Sequence, residues 1–121
     1  MVTLRNIRIL IAISLVASII TACGDSKKPE VTQAQIDAHF IYEGKEVVRK
    51  RMKDPVSTEF RDVSLSIKSG APAVCGEVNS KNSFGGYVGF QQFVSVADTV
   101  FMKPDTTTDG MEKAWQQFCG K

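Results

Sequence analysis

From residue 32 onward, apolar positions recur first with a helical period and then by alternation. At about 100° per residue, Ile36, Phe40, Ile41, Gly44, Val47, Val48 and Met52 fall within one arc of about 160°. Thr32 and Gln35 have the spacing of a capping box, in which each side chain covers the other's orphan backbone N–H. The helix is expected to run to about Lys53, because Pro55 disfavours the helical conformation at Asp54. Asp37 and Arg51 intrude on the apolar arc, both near the helix ends. Gly44 sits in its middle, although glycine costs about 1 kcal/mol relative to alanine there. Its presence predicts close approach of the helix to a sheet or a large ring.

After Asp54–Ser57 the period changes to two. Phe60 to Lys68 puts Val63, Leu65 and Ile67 on one face and Asp62, Ser64, Ser66 and Lys68 on the other, a half-buried strand. Ser69 to Pro72 is a turn, and Ala73 to Asn79 is a second strand. Gly86 to Val96 is expected as a third, with Val88, Phe90, Val94 and Val96 opposite Tyr87, Gly89, Gln91 and Phe93. Thr99 to Lys103 supplies a short fourth strand. Asp109 and Glu112 then form a second capping-box pattern, opening a helix that carries Met111, Ala114, Trp115 and Phe118. The expected fold is α+β: an N-terminal helix, a three- to four-stranded antiparallel sheet, and a C-terminal helix.

The first 22 residues read differently. Arg5 and Arg8 precede an apolar run from Ile9 to Ile20, too short to span a bilayer but suited to a signal-peptide core. The run closes on Ile20-Thr21-Ala22-Cys23, which resembles a bacterial lipobox. The expected organisation is therefore a lipoprotein signal peptide over residues 1–22, a lipidated Cys23 with a tether to residue 30, and a single α+β domain over 31–121. Acyl chains on Cys23 would hold the protein on a membrane without a spanning helix. Glycine after that cysteine favours the outer membrane, facing the periplasm, while Asp25 one place later weakens the sorting signal.

Removing the leader changes the charge picture. The chain has 15 basic and 13 acidic residues, and losing Arg5 and Arg8 leaves 13 of each. A neutral domain gives no electrostatic reason to bind nucleic acid. Once Cys23 is lipidated, Cys75 and Cys119 remain as a pair in an oxidising compartment, which predicts a disulfide.

Candidate chemistry is sparse. His39, the only histidine, projects from the polar side of the first helix, and Glu77 with Lys81 reads as a strand-end ion pair. No metal-ligand spacing, nucleophile elbow or carboxylate pair occurs, so no catalytic residue, metal or cofactor is expected. Arg49 to Lys53 is a basic run at the negative end of the helix dipole, a favourable placement in itself; contact with anionic lipid headgroups or lipopolysaccharide phosphates is the alternative. Gly85-Gly86-Tyr87-Val88-Gly89 lies between two β-patterned runs and lacks the strand–loop–helix setting of a phosphate loop. The connection before it is longer than a plain turn and carries aromatics among amides. Asn79, Lys81, Asn82, Phe84 and Tyr87 are thus the candidate binding surface; the alternative is that both aromatics tuck back over the sheet.

Two blocks, Asp54-Pro55-x-Ser57 with Phe60-Arg61, and Cys75-Gly76-Glu77-Val78-Asn79-x-Lys81-Asn82-Ser83-x-Gly85-Gly86-Tyr87-x-Gly89-Phe90, carry a resemblance. The chain resembles a family of small bacterial and prophage-encoded secreted proteins, many of them lipoproteins. That resemblance implies an envelope location and a shared small fold, and supplies no catalytic residues. The expected function is a non-catalytic binding module, anchored to the membrane by lipid and directed at an envelope protein or cell-wall component. The alternative is a prophage accessory lipoprotein that mediates superinfection exclusion or inhibits an envelope-degrading enzyme.

Overall fold

The computed structural model describes residues 28–120. The expected signal peptide, Cys23 and most of the tether lie outside the described residues. Residues 28–30 are exposed and have no regular structure.

Helix α1, Gln33–Arg51, begins as its cap dictates. The Thr32 hydroxyl accepts from the Gln35 N–H at 3.3 Å, and Gln35 Oε1 accepts from the Thr32 N–H at 2.9 Å. The helix ends two residues before the expected Lys53. Pro55 has no N–H to donate to the Arg51 carbonyl, so extending the helix would leave that carbonyl without a helical partner. Met52 instead turns extended, at φ −74° and ψ 148°, and packs against the core. Full burial on α1 is confined to Gly44 and Val48, and Ile36 at its start is 38% exposed despite lying on the apolar arc.

Four strands follow: β1 (Glu59–Ser66), β2 (Ala73–Asn79), β3 (Gln91–Val96) and β4 (Thr99–Phe101). They form one antiparallel sheet in sequential order. Helix α2, Thr108–Phe118, completes the α+β domain. Both helices and all four strands read from the sequence are present, with several bounds moved.

β1 departs most from its pattern. Arg61 pairs with Glu77 and Ser64 with Cys75, so Asp62 and Val63 together oppose Gly76. This is a β-bulge, with Asp62 at φ 51°. The extra residue resets the alternation, and Phe60, Val63 and Leu65 all pack against the same core cluster. Ile67, expected on that face, is 72% exposed, because the strand stops at Ser66 and the chain turns away.

The sheet is covered on both faces. Phe93 and Val94 are adjacent and wholly buried, yet they belong to opposite layers, as successive strand residues must. Phe93 joins Val48, Val74, Val78, Val100 and Met102 beneath α1. Val94 joins Met111 and Ala114 of α2, flanked by Phe101, Trp115 and Phe118. Consequently β2 is buried at every position except Glu77, which is half-buried.

Cys75 and Cys119 form the expected disulfide, with Cα atoms 6.0 Å apart. It ties the end of α2 to the second strand. The cap of α2 is Thr107 rather than the expected Asp109: its hydroxyl accepts from the Gly110 N–H at 3.1 Å. Asp109 sits instead in the first turn, where its charge complements the helix dipole, and Glu112 accepts from Gln116. No helix among the described residues is long and apolar enough to cross a membrane.

Candidate functional site

The third strand starts five residues later than its pattern suggests. Residues 80–90 leave the sheet and build a loop of their own, although Val88 and Phe90 alternate as strand residues would. Glycine decides this locally: Gly85 and Gly89 adopt φ of 80° and 98°, which most side chains resist. Lys81 and Tyr87 form a single antiparallel bridge. Within it, Asn82 closes a tight turn. Its N–H donates to the Gly86 carbonyl at 2.8 Å and its carbonyl accepts from Gly85 at 3.0 Å. Its side-chain oxygen accepts from the N–H groups of Phe84 (2.9 Å) and Gly86 (3.2 Å).

The base of the loop is pinned as firmly. Asn79 Oδ1 accepts from the Gly89 N–H at 3.0 Å, and the Lys81 N–H donates to Ser57 Oγ at 2.9 Å. Ser57 in turn donates to the Asp54 carbonyl, so the turn after α1 braces the loop. The Tyr87 hydroxyl donates to Glu59 at 3.2 Å, and Lys81 Nζ lies 5.6 Å from the Tyr87 ring centre. Partial desolvation, followed by the carboxylates of Glu59 and Asp54, raises the Tyr87 phenol above the ordinary tyrosine value.

The five candidate residues therefore divide. Asn79 is 7% exposed and acts as an internal pin, not as surface. Asn82 is half-buried and uses its carbonyl oxygen on the turn. Phe84 is 96% exposed at the tip, and Tyr87 is half exposed beside it. Phe84 does not fold back over the sheet, whereas Tyr87 reaches back to Glu59 of β1 while staying half exposed. Lys81 is half-buried at the loop's base.

Residues that the sequence reading passed over stand at the same end. Val56 and Val88 are exposed there, the former almost completely. A groove of about 520 Å³ runs beside the loop, walled by Arg51 at the end of α1, Lys53 just after it, Lys81 of the loop, and Lys103 after β4. Met52, Val88, Met102 and Pro104 supply its apolar part, and Asp105 is its one carboxylate. The basic run at the end of α1 was visible in sequence; its meeting with Lys81 and Lys103 depends on tertiary packing.

A second groove, of about 660 Å³, lies by the β1–β2 and β3–β4 turns at the other end of the strands. It carries Glu43, Glu46 and Asp98 against Lys50. The two grooves thus have opposite charge balance in a domain with little net charge.

The acid–base candidates are engaged elsewhere. His39 pairs with Glu43 at 3.3 Å on the exposed surface of α1. Glu77 pairs with Arg61 across the β1–β2 ladder, not with Lys81 as expected, because Arg61 is its register partner. That bond holds the Arg61 guanidinium proton more tightly than usual, and the guanidinium lies 4.1 Å from the centre of the Phe90 ring. Neither His39 nor Glu77 lines a groove. Among the described residues, no group of three or more His, Cys, Asp or Glu is placed to hold a metal ion.

Compared with protein-family models, curated proteins and solved structures, the chain matches none of them.

Proposed function

We propose that this chain is a periplasmic lipoprotein, anchored through Cys23 to the outer membrane, that serves as a non-catalytic binding module for another component of the cell envelope. What supports the binding role is Phe84. An aromatic side chain that is 96% exposed gains nothing for the fold, and here it stands on a loop fixed by its own hydrogen bonds. A rigid loop loses little conformational entropy on association, so such an aromatic makes an efficient anchor for a partner. The lipobox-like end of the apolar leader supports the anchor.

The test is a photo-crosslinking residue at position 84 in cells making the full chain, with a control probe at exposed Lys113 on α2. A discrete adduct at 84, absent at 113, is the expected result. No adduct at 84, or equal adducts at both positions, would remove the loop from the binding role. Metabolic incorporation of palmitate into the parent chain, lost in Cys23→Ser, is the expected result for the anchor. Absence of the label from the parent chain would overturn the lipid anchor.

A further inference from the structure

We infer that the loop end of the domain docks onto the phosphate headgroups of a lipid bilayer, with Phe84 and Val56 entering the interface and the basic groove seated over the phosphates. The inference rests on the reading of this loop as a binding element and names what it binds. Three observations carry it.

The first is charge. Arg51, Lys53, Lys81 and Lys103 come from three separate segments and converge on one groove with a single carboxylate, Asp105. None of the four takes part in an ion pair among the described residues. Asp54 and Glu59 act on the Tyr87 phenol and do not line the groove. Like charges assembled without partners repel one another, and an anionic surface relieves that cost.

The second is the form of the apolar surface. Phe84 and Val56 are almost fully exposed and Val88 is 61% exposed, as separate points on two neighbouring turns. A protein partner is met best by a packed patch with a buried centre. Isolated apolar tips flanked by cations suit an interface where the tips enter the acyl boundary and the cations stay at headgroup depth.

The third is orientation. The opposite groove carries Glu43, Glu46 and Asp98 against Lys50; Glu46 is paired with Arg49 and Glu43 faces His39, and among the described residues no cationic cluster like that of the loop end lines it. A domain with this charge separation turns its basic end toward an anionic membrane before contact.

The experiment uses the full chain carrying Phe84→Trp, reconstituted into vesicles whose acyl chains are brominated. The parent chain, which keeps Trp115, supplies the background. The expected result is quenching of the new tryptophan in vesicles containing phosphatidylglycerol, weakened by added salt. Each cation near a charged membrane is worth about fivefold in binding, so Lys53→Gln with Lys103→Gln should weaken the contact about 25-fold. Both side chains are exposed, so the substitutions leave the core untouched. Equal quenching in pure phosphatidylcholine, or none in either lipid, would overturn the inference. A protein adduct at position 84 without bromolipid quenching would do the same, yet leave the binding role of the loop standing.

Discussion

Gly44 of α1 lies directly over Val74 of β2: a Cβ added to Gly44 would fall 2.5 Å from Val74 Cγ2 and 2.7 Å from its Cβ. The missing side chain is what lets the helix reach the sheet. Gly44→Ala gains about 1 kcal/mol of helix propensity but forces α1 away from a β-branched side chain that is only 3% exposed. Overpacking of that kind costs typically 1–3 kcal/mol and wins, because neither backbone can yield without opening the layer beneath α1. The expected outcome is a lower urea midpoint with an unchanged slope. A midpoint equal to or above the parent's would mean that the helix can shift at no cost.

The Cys75–Cys119 bond closes a loop with a sequence separation of 44 in a domain with modest cores. By the chain-entropy model such a closure stabilises by about 4 kcal/mol, a large fraction of what a domain this size has to spare. Replacing both cysteines by serine is therefore expected to lower stability by about that amount, measured by urea unfolding at equal pH and salt. Because Cys119 ends α2, amide exchange should quicken first in Thr108–Phe118.

Those parts of the fold set by near neighbours could be read from the chain. The Thr32–Gln35 cap, the bounds of β2 and the cysteine pairing needed only local chemistry or simple counting. Gly44 announced a close approach, though not its partner. Period-two reading failed where the backbone itself inserts a residue, as at Asp62 and Val63, since alternation cannot signal a bulge. It failed again at Val88 and Phe90, whose alternation belongs to a loop that Gly85 and Gly89 bend out of the sheet. At the second helix, Thr107 and Asp109 are both good caps, and spacing alone could not choose between them. In the candidate site, Phe84 and Tyr87 were legible as aromatics in an amide-rich connection. Asn79 was misplaced, because an asparagine that faces solvent and one that pins a loop look alike in sequence. The meeting of Arg51, Lys53, Lys81 and Lys103 joins positions more than 50 residues apart and has no local signature.

Tyr87 gives the loop a pH dependence with a definite sign. Its raised pKa means that the folded state holds the phenol proton more tightly than the unfolded chain does, through desolvation first and then through Glu59 and Asp54. The stabilisation is complete below the ordinary tyrosine value and is lost as pH rises from there through the raised folded value. Phenolate absorbance of the parent minus that of Tyr87→Phe should show a midpoint above the ordinary tyrosine value. Glu59→Gln should bring it down. A midpoint unmoved by Glu59→Gln would separate the phenol from that carboxylate.

Phe84 and Asn82 allow contact and rigidity to be separated. Phe84→Ala removes a side chain that touches little of the fold, so stability should change by less than about 0.5 kcal/mol. If Phe84 is the anchor, its loss should weaken association by about 2 kcal/mol, roughly thirtyfold. Asn82→Ala keeps Phe84 but frees the N–H groups of Phe84 and Gly86 from the side-chain oxygen that holds them. Its stability cost should be small, about 1 kcal/mol, because both groups can turn to water. Its effect on association should exceed that figure, since the tip must then be ordered during binding. Association of the parent and of the two variants, measured directly with no probe at position 84, reads both effects. Full binding by Asn82→Ala with none by Phe84→Ala would show that the aromatic alone matters and that the loop's fixed shape contributes nothing.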